Sequence, residues 1–172
     1  MKDIKGVVIG IVQDIDAAVG AVKVDFPWMS PPQRSHWAPI ATLMSGRARG
    51  VYYMPEKDDE VLIAFEHGQF DHPYVVGFLW NGVDEPPDTE RKHRVIRTPG
   101  GHELRFEDNA GAKKVVLKSD AGFTIEMDES GKNLSLTTPG QLSATLSDAD
   151  GSIELKGGGR AIAMRAGQVQ IT

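Results

Sequence analysis

The second half of the chain repeats a short segment in which apolar and polar residues alternate. Eight segments follow one another with centres about ten residues apart: HELRFED, KVVLKS, FTIEMDES, NLSLTTPG, LSATLSD, SIELKG, AIAMRAG and QVQIT. Glycines separate most of them. Strict alternation over four to eight residues is typical of a half-buried β-strand, and a fixed period indicates stacked, near-identical rungs. The sequence therefore predicts a regular β-structure from residue 95 to residue 172.

One face of every rung is apolar, and this face must be buried against other apolar residues. Each rung has only two or three apolar side chains, too few for one chain to coil around itself. At about 25 cal/mol per Å² of apolar surface, the whole set represents tens of kcal/mol, so it must meet partners. Three identical stripes close a triangular prism with a dry interior. We therefore expect an intertwined homotrimer, a triple-stranded β-helical needle, with a core of Leu104, Phe106, Val115, Leu117, Phe123, Ile125, Met127, Leu134, Leu136, Leu142, Leu146, Ile153, Leu155, Ile162, Met164, Val169 and Ile171.

Two single-chain arrangements remain as alternatives for the same repeat. The rungs could form a β-solenoid within one chain, or a meander packed against the first half. Solenoid rungs are usually longer, about 20 residues or more, which favours the trimer.

The first half also alternates with period 2, but without a repeat. Its β-branched and aromatic runs, such as AVKVDFPW and EVLIAFEHG, are cut by Gly, Pro and Asp. This pattern predicts a small barrel of about five strands. The stretch GVDEPPDTERKHR has adjacent prolines, dense charge and no apolar pattern, which indicates an exposed, stiff linker. The predicted fold is all-β, with a barrel at 1–82, a linker at 83–94 and a needle at 95–172.

Composition excludes several functional classes. The chain has no cysteine, so it has no disulfide, thiolate metal site or Cys nucleophile. Residues 1–93 carry 9 Lys and Arg against 14 Asp and Glu, and this acidic balance argues against nucleic-acid binding. No apolar run approaches the roughly 20 residues that span a bilayer, and the N-terminus lacks the apolar core of a signal peptide. We expect synthesis in the host cytoplasm.

Motifs along most of the chain resemble one family of proteins. In the first half, GAVKVDFPW, SHWAPIATLMSG and the segment from PEKDDEVLIAF to DHPYVVGFLWNG occur in the same order as in the oligonucleotide/oligosaccharide-binding (OB) domain of contractile phage spikes, the baseplate assembly protein V family. They are also similar to the valine-glycine repeat spike of type VI secretion. After the linker, TPGGHELRFED resembles the start of the β-helical needle in those families.

The resemblance implies a mechanical function. It implies a trimeric spike at the tip of a tail tube, located on a virion, a tailocin or another contractile injection particle, that pierces the outer membrane of a target cell. It also implies a baseplate hub protein above the OB domain. The chain ends in mid-pattern and has no histidine after His102, unlike family members with an iron-binding His-x-His apex. We therefore expect a blunt end, capped by a tip protein of the proline-alanine-alanine-arginine (PAAR) repeat type on Gln168, Val169, Gln170, Ile171 and Thr172.

Other candidate sites have simpler interpretations. His67, Asp71 and His72 include metal-ligand types, but the stretch lies where a polar turn is expected. The acids of PEKDDE are of the kind that glycoside hydrolases pair, yet four acids after a proline usually form a solvated turn. KGGGRA is interpreted as a turn between rungs. Arg47 and Arg49 could bind an acidic partner or merely solvate a loop.

We therefore predict no catalytic residue, metal or cofactor, and no enzymatic activity. The tryptophans Trp28, Trp37 and Trp80 are expected in the barrel core or at trimer contacts. Two alternatives remain. One is a peptidoglycan hydrolase, whose clearing activity would require Glu56 or Asp59. The other is a carbohydrate-binding OB module of a tail baseplate, in which residues 1–85 alone would bind the carbohydrate.

Overall fold

The computed structural model describes residues 4–165 and 167–172, and almost all regular structure in them is β-strand. The chain divides into two compact units between Glu85 and Pro86. No helix in the described part of the chain is long and apolar enough to cross a membrane. The predicted all-β class is confirmed.

The described part of the first unit contains seven strands: β1 (Val7–Asp16), β2 (Ala21–Asp25), β3 (Ala38–Pro39), β4 (Ser45–Gly46), β5 (Arg49–Gly50), β6 (Glu60–Phe65) and β7 (Pro73–Phe78). Five of them form one antiparallel sheet in the order β3-β2-β1-β6-β7. The other two, β4 and β5, form a separate hairpin between β3 and β6.

A parallel contact joins the two ends of this sheet. Ile40, just after β3, bridges to Val75 in β7, and the amide of Ala41 donates to the Val75 carbonyl at 2.8 Å. The sheet thereby becomes a closed five-stranded barrel, as the period-2 pattern of the first half predicts.

Alternation along the strands fills the barrel. In β6, Val61, Ile63 and Phe65 are buried while the residues between them are not. The core also includes Val12, Val22, Val24, Phe26, Ala38 and Val75. Gly10 lies against this core, where a Cβ atom would come within 2.7 Å of a Val24 methyl carbon.

The second unit is a nine-stranded antiparallel sheet in which each strand pairs with the next along the chain. Its strands are β8 (His93–Arg97), β9 (Glu103–Asn109), β10 (Ala112–Lys118), β11 (Thr124–Asp128), β12 (Asn133–Thr137), β13 (Ser143–Ser147), β14 (Ser152–Gly157), β15 (Arg160–Arg165) and β16 (Gln168–Ile171). Eight of them correspond to the eight segments of the sequence repeat. The hydrogen bonds between rungs lie within one chain, while the triple-stranded β-helix involves partner chains and stays a prediction.

The stretch predicted as a linker carries defined structure near its end. β8 begins at His93, and the side chain of His93 is held between two partners. Its Nδ1 lies 2.8 Å from Asp88 Oδ2, and its Nε2 lies 3.2 Å from Asn109 Nδ2. The Asp88 carboxylate also accepts the backbone N–H of Glu90 at 2.8 Å. These contacts attach residues 88–93 to the nine-stranded sheet.

Candidate functional site

The register of the nine-stranded sheet aligns its apolar residues in two columns. Paired residues on neighbouring antiparallel strands lie directly opposite each other and point to the same face of the sheet. Two apolar positions in each strand are therefore aligned with two apolar positions in the next strand. The first column is Phe106, Val115, Met127, Leu134, Leu146, Ile153, Met164 and Val169. The second is Ile96, Leu104, Leu117, Ile125, Leu136, Ala144, Leu155, Ile162 and Ile171. We call this surface the apolar face.

Two predicted core residues lie beside the columns rather than in them. Phe123 and Leu142 precede β11 and β13 and occupy equivalent turns at one side of the apolar face. Leu142 lies over Gly157, where an added Cβ would come within 2.6 Å of a Leu142 methyl carbon. With Leu117, Ile125 and Leu136, these two side chains line an open groove of about 670 Å³.

The apolar face is open to solvent in the single chain. Leu117 and Met127 are each 50% exposed and Leu155 is 48% exposed, although all three lie within strands of the sheet. Contiguous apolar surface on this scale usually marks an interface. Fifteen of the predicted core residues lie in the two columns, and Ile96 and Ala144 are additional members that the prediction missed.

The opposite face of the sheet is polar and is stabilised by ion pairs within the chain. Lys114 lies 2.8 Å from Glu126 and 3.4 Å from Asp128 across neighbouring strands. Lys156 contacts Glu154 at 2.7 Å. The hydrogen bond to Glu126 raises the pKa of Lys114 above its usual value. These charged side chains make this face suited to contact with water.

The last strand leaves one edge of the sheet without a neighbour in the described residues. On its inner side β16 pairs with β15, and Ala161 and Thr172 exchange two backbone hydrogen bonds of 2.9 Å. The predicted tip residues Gln168, Val169, Gln170, Ile171 and Thr172 are all exposed. Val169 and Ile171 end the two apolar columns at this edge.

The histidine stretch between β6 and β7 forms a turn. The amide of Glu66 donates to the His72 carbonyl at 2.9 Å, and a short 3-10 segment covers Glu66–Gly68. Asp71 contacts His36 at 3.5 Å on the surface. In residues 4–165 and 167–172, no three His, Asp or Glu side chains are grouped as metal ligands would be.

The acidic stretch before β6 also forms a turn. Asp59 Oδ2 accepts the backbone N–H of Glu56 at 2.8 Å, and Asp58 has a positive φ of 74°. Asp58 also accepts a hydrogen bond from Gln13. These contacts fix the backbone at the start of the strand.

The three tryptophans lie outside the barrel core, and their expected position at trimer contacts stays a prediction. Trp28, Trp37 and Trp80 are 49%, 42% and 65% exposed, so none of them belongs to the barrel core. The Trp28 side chain contacts β1, where its indole N–H donates to the Ile9 carbonyl at 3.1 Å. Lys23 lies 4.9 Å from the ring centre of Trp37. The buried aromatic residue at the centre of the core is Phe26, which the neighbouring rings of Phe65 and Phe70 contact.

The barrel defines the class of the N-terminal unit. A five-stranded barrel that closes through a parallel contact between its third and last strands is an OB fold. Residues 6–80 match the family model of the type VI secretion system/phage-baseplate injector OB domain. The first unit is therefore similar to the OB domain of phage-baseplate and type VI secretion injectors.

Several curated proteins are similar to this chain. The actin cross-linking toxin VgrG1 of Vibrio cholerae serotype O1 (strain ATCC 39541 / Classical Ogawa 395 / O395) is 32% identical over 124 residues, which is 64% of this chain and 11% of that protein. The type VI secretion system spike protein VgrG3 of Vibrio cholerae serotype O1 (strain El Tor Inaba N16961) is 32% identical over 123 residues, 63% of this chain and 12% of that protein. VgrG5 of Pseudomonas aeruginosa, also a type VI spike protein, is 30% identical over 125 residues, 64% of this chain and 16% of that protein.

The similarity covers more of this chain than the OB domain but only a small part of each relative. The OB domain alone is shorter than 64% of this chain, so the similarity extends beyond it into the second unit. The chain nevertheless spans only about a tenth to a sixth of the length of these relatives. The activity in the name of the cross-linking toxin belongs to that protein.

Proposed function

We propose that this chain is the membrane-piercing spike at the tip of a contractile tail tube and that it acts mechanically as a homotrimer. The observation that carries the proposal is the apolar face, which runs through all nine strands of the sheet while the charged pairs lie on the opposite face. The relationship to spike proteins supports the same function.

The geometry favours three copies around a common axis. Each sheet has one apolar and one charged face, so three sheets that turn their apolar faces inward form a prism with a dry interior and a polar exterior. The strands of each chain are already hydrogen-bonded to one another, so the copies associate through the side chains of their apolar faces. Axial force is then carried by hydrogen-bonded rungs and a shared core.

The proposed partners follow from this arrangement. The chain binds two further copies of itself, a hub protein above the OB domain, and transiently the outer membrane of the target cell. A tip protein of the PAAR-repeat type covers the exposed edge at residues 168–172. The protein is then located on an extracellular or virion particle. We propose no enzymatic step for it.

One pair of substitutions in β12 tests the trimer. Leu136 lies on the apolar face and Thr137, its neighbour, lies on the polar face. Leu136→Asp places three carboxylates in the dry interior, where each uncompensated charge costs several kcal/mol, so the trimer should dissociate at micromolar concentration. Thr137→Asp adds the same charge at the surface and should leave the trimer intact.

Sedimentation of the purified variants gives the result directly. In assembled particles, Leu136→Asp should also abolish permeabilisation of target cells while Thr137→Asp retains it. Equal behaviour of the two variants in sedimentation would contradict the proposal.

A further inference from the structure

The hairpin between β3 and β6 is a surface that neither the barrel core nor the apolar face explains. Around β4 and β5 the chain exposes Leu43, Met44, Tyr52 and Tyr53, and Leu43 is 92% exposed. Arg47 stands at the tip of the turn and is exposed. Among the residues that the structure describes, neither Arg47 nor Arg49 forms an ion pair.

This hairpin is held in a defined shape. The Val51 amide donates to the Met44 carbonyl at 2.9 Å, and the Thr42 hydroxyl donates to the Val51 carbonyl at 2.6 Å. Gly50 has a φ of 155°, and a Cβ there would lie 2.6 Å from the Met44 carbonyl oxygen. A preorganised projection loses little conformational entropy when it binds, which favours a function in binding.

The two arginines differ in their freedom to reach a partner. A Cβ atom at Gly46 would lie 2.8 Å from Arg49 Nε, so the Arg49 side chain is folded back across the hairpin. Arg47 precedes Ala48, which has a positive φ of 54°, in the two-residue turn between the strands. Arg47 is therefore the arginine placed to enter a neighbouring surface.

A separate cavity of the same barrel has the complementary chemistry. It has a volume of about 300 Å³ and is lined by Asp59, Glu60, Phe78, Leu79, Trp80 and Asp84. Its walls are joined by a hydrogen bond of 3.0 Å from the Leu79 amide to the Glu60 carbonyl. Asn81 donates to Asp84 at 3.0 Å and fixes the position of that carboxylate. We call this cavity the acidic aromatic pocket.

The combination of carboxylates and aromatic rings is what an arginine side chain binds best. A guanidinium group forms charge-assisted, often bidentate bonds with carboxylates and lies flat on the face of Trp or Phe. Trp80 is 65% exposed, so its ring is available for such contact. The pocket therefore fits a cationic side chain such as arginine better than an anion.

The chain itself supplies both halves of this contact. We propose that Arg47 of one copy enters the acidic aromatic pocket of the neighbouring copy, so that three such contacts close a ring of OB domains. A contact between two different patches closes a ring under rotational symmetry, as three copies around an axis require. The charge balance supports a second copy of the chain as the source of the arginine in the pocket. Residues 1–93 carry 9 Lys and Arg against 14 Asp and Glu, so the exposed Arg47 is attracted to the acidic surface of a neighbouring barrel. The proposal rests on the homotrimer proposed above.

Disulfide trapping in the full-length chain tests the contact. The sequence has no cysteine, so any cross-link comes from the introduced pair. Ala48→Cys places a thiol beside Arg47. Val83→Cys places the second thiol beside Asp84, at a position where the valine side chain is 88% exposed. Mild oxidation of the double variant should give a covalent trimer on a non-reducing gel. The matched control, Ala48→Cys with Val7→Cys, uses another exposed valine away from the pocket and should remain unlinked.

A third substitution tests the arginine itself. Adding Arg47→Glu to the first pair should abolish the cross-linked trimer, whereas Arg47→Lys, which keeps the charge but loses the planar guanidinium, should reduce its yield only in part. If the cross-link persists with Arg47→Glu, the guanidinium does not hold the contact and the inference fails.

Sedimentation before oxidation separates this inference from the proposed function. A trimer that gives no cross-link with Val83→Cys overturns the hairpin contact and leaves the spike proposal standing. A single subunit in solution overturns both. A cross-link confined to the control pair means that the hairpin contacts another part of the neighbouring barrel, and this also overturns the inference.

Discussion

Gly10 is the residue at which the OB barrel has no room for a side chain. A Cβ there would come within 2.7 Å of one Val24 carbon and 3.3 Å of Ile63. Its neighbours are stiff β-branched residues in a buried core, so the clash cannot be relieved by a flexible side chain. We predict that Gly10→Ala destabilises the barrel by about 1–3 kcal/mol.

Gly77 provides a matched control in another strand of the barrel. An added Cβ at Gly77 meets no atom within 4 Å. Gly77→Ala should therefore leave the unfolding midpoint in urea nearly unchanged. Equal losses of stability in the two variants would show that close packing is not what requires Gly10.

Asp88 is a residue whose contribution to stability depends on pH. The backbone N–H of Glu90, and then His93, lower the pKa of the Asp88 carboxyl below its usual range. A carboxyl with a lowered folded-state pKa stabilises the fold above its unfolded-state pKa of about 4, and this stabilisation is lost as the pH falls through the folded-state value. Asp88→Asn should therefore lower the unfolding temperature at pH 7, and the difference from the wild type should shrink toward pH 3.

Glu85→Gln is the control for the Asp88 prediction. It removes one negative charge at an exposed position close in sequence. Its effect should be small at both pH values. A constant difference between Asp88→Asn and the wild type across this range would contradict a role for the ionised carboxylate.

The sequence predicted the apolar face residue by residue, and the exceptions have physical causes. Alternation alone identified the members from Leu104 to Ile171 other than Ala144, and the antiparallel register places them in line. Ala144 was missed because a methyl side chain adds little to an apolar pattern. Exposure of Trp28 and Trp80 could not be read from the sequence, since a large apolar side chain is equally compatible with a core and with an interface.

At the scale of elements, the sheet is built on a recurring five-residue turn at one side. Thr98, Ser119 and Thr138 each begin such a turn, and each hydroxyl accepts the backbone N–H of the residue four positions later, at 3.0 to 3.1 Å. The fourth position has a positive φ in every case: 83° at Gly101, 91° at Gly122 and 62° at Gln141. Two of the three turns therefore use glycine where the backbone is left-handed, and the third uses glutamine.

This comparison within one chain predicts the effect of exchanging those residues. Gln141→Gly should stabilise the sheet by about 0.5–1 kcal/mol, because it removes the strain of a side chain at positive φ. Gly122→Ala should destabilise it by about 1–2 kcal/mol, since the nearest atom to an added Cβ is at an ordinary 3.6 Å and only the backbone strain remains. Thermal unfolding of both variants tests this, and a stabilising Gly122→Ala would contradict it.

Some elements could not be found from the sequence. β8 was assigned in part to the linker because its residues, HRVIR, are mostly charged and its alternation spans only two apolar side chains. The recurring turn was also missed, although Ser or Thr followed three positions later by Gly or Gln is visible in the sequence. Pairing within one chain rather than between chains is not encoded in an alternating pattern, because both arrangements place the same residues on the same face.

At the scale of the whole molecule, the proposed homotrimer requires the apolar face of the sheet to be dry. The charged face forms ion pairs within the chain, whereas the side chains of the apolar face are exposed to solvent in the single chain. A single copy would leave this face in water at a cost that grows with every rung. The homotrimer proposed above would remove that cost and would produce the stiff, polar-coated shaft that the proposed piercing function requires.

Analytical ultracentrifugation of the full-length chain at micromolar concentration is the most direct test. The chain has a mass of 18.7 kDa, and the account predicts one species at three times that value with no dependence on dilution into the nanomolar range. A stable 18.7 kDa species that remains folded, and whose apolar face binds no second copy at high concentration, would contradict it.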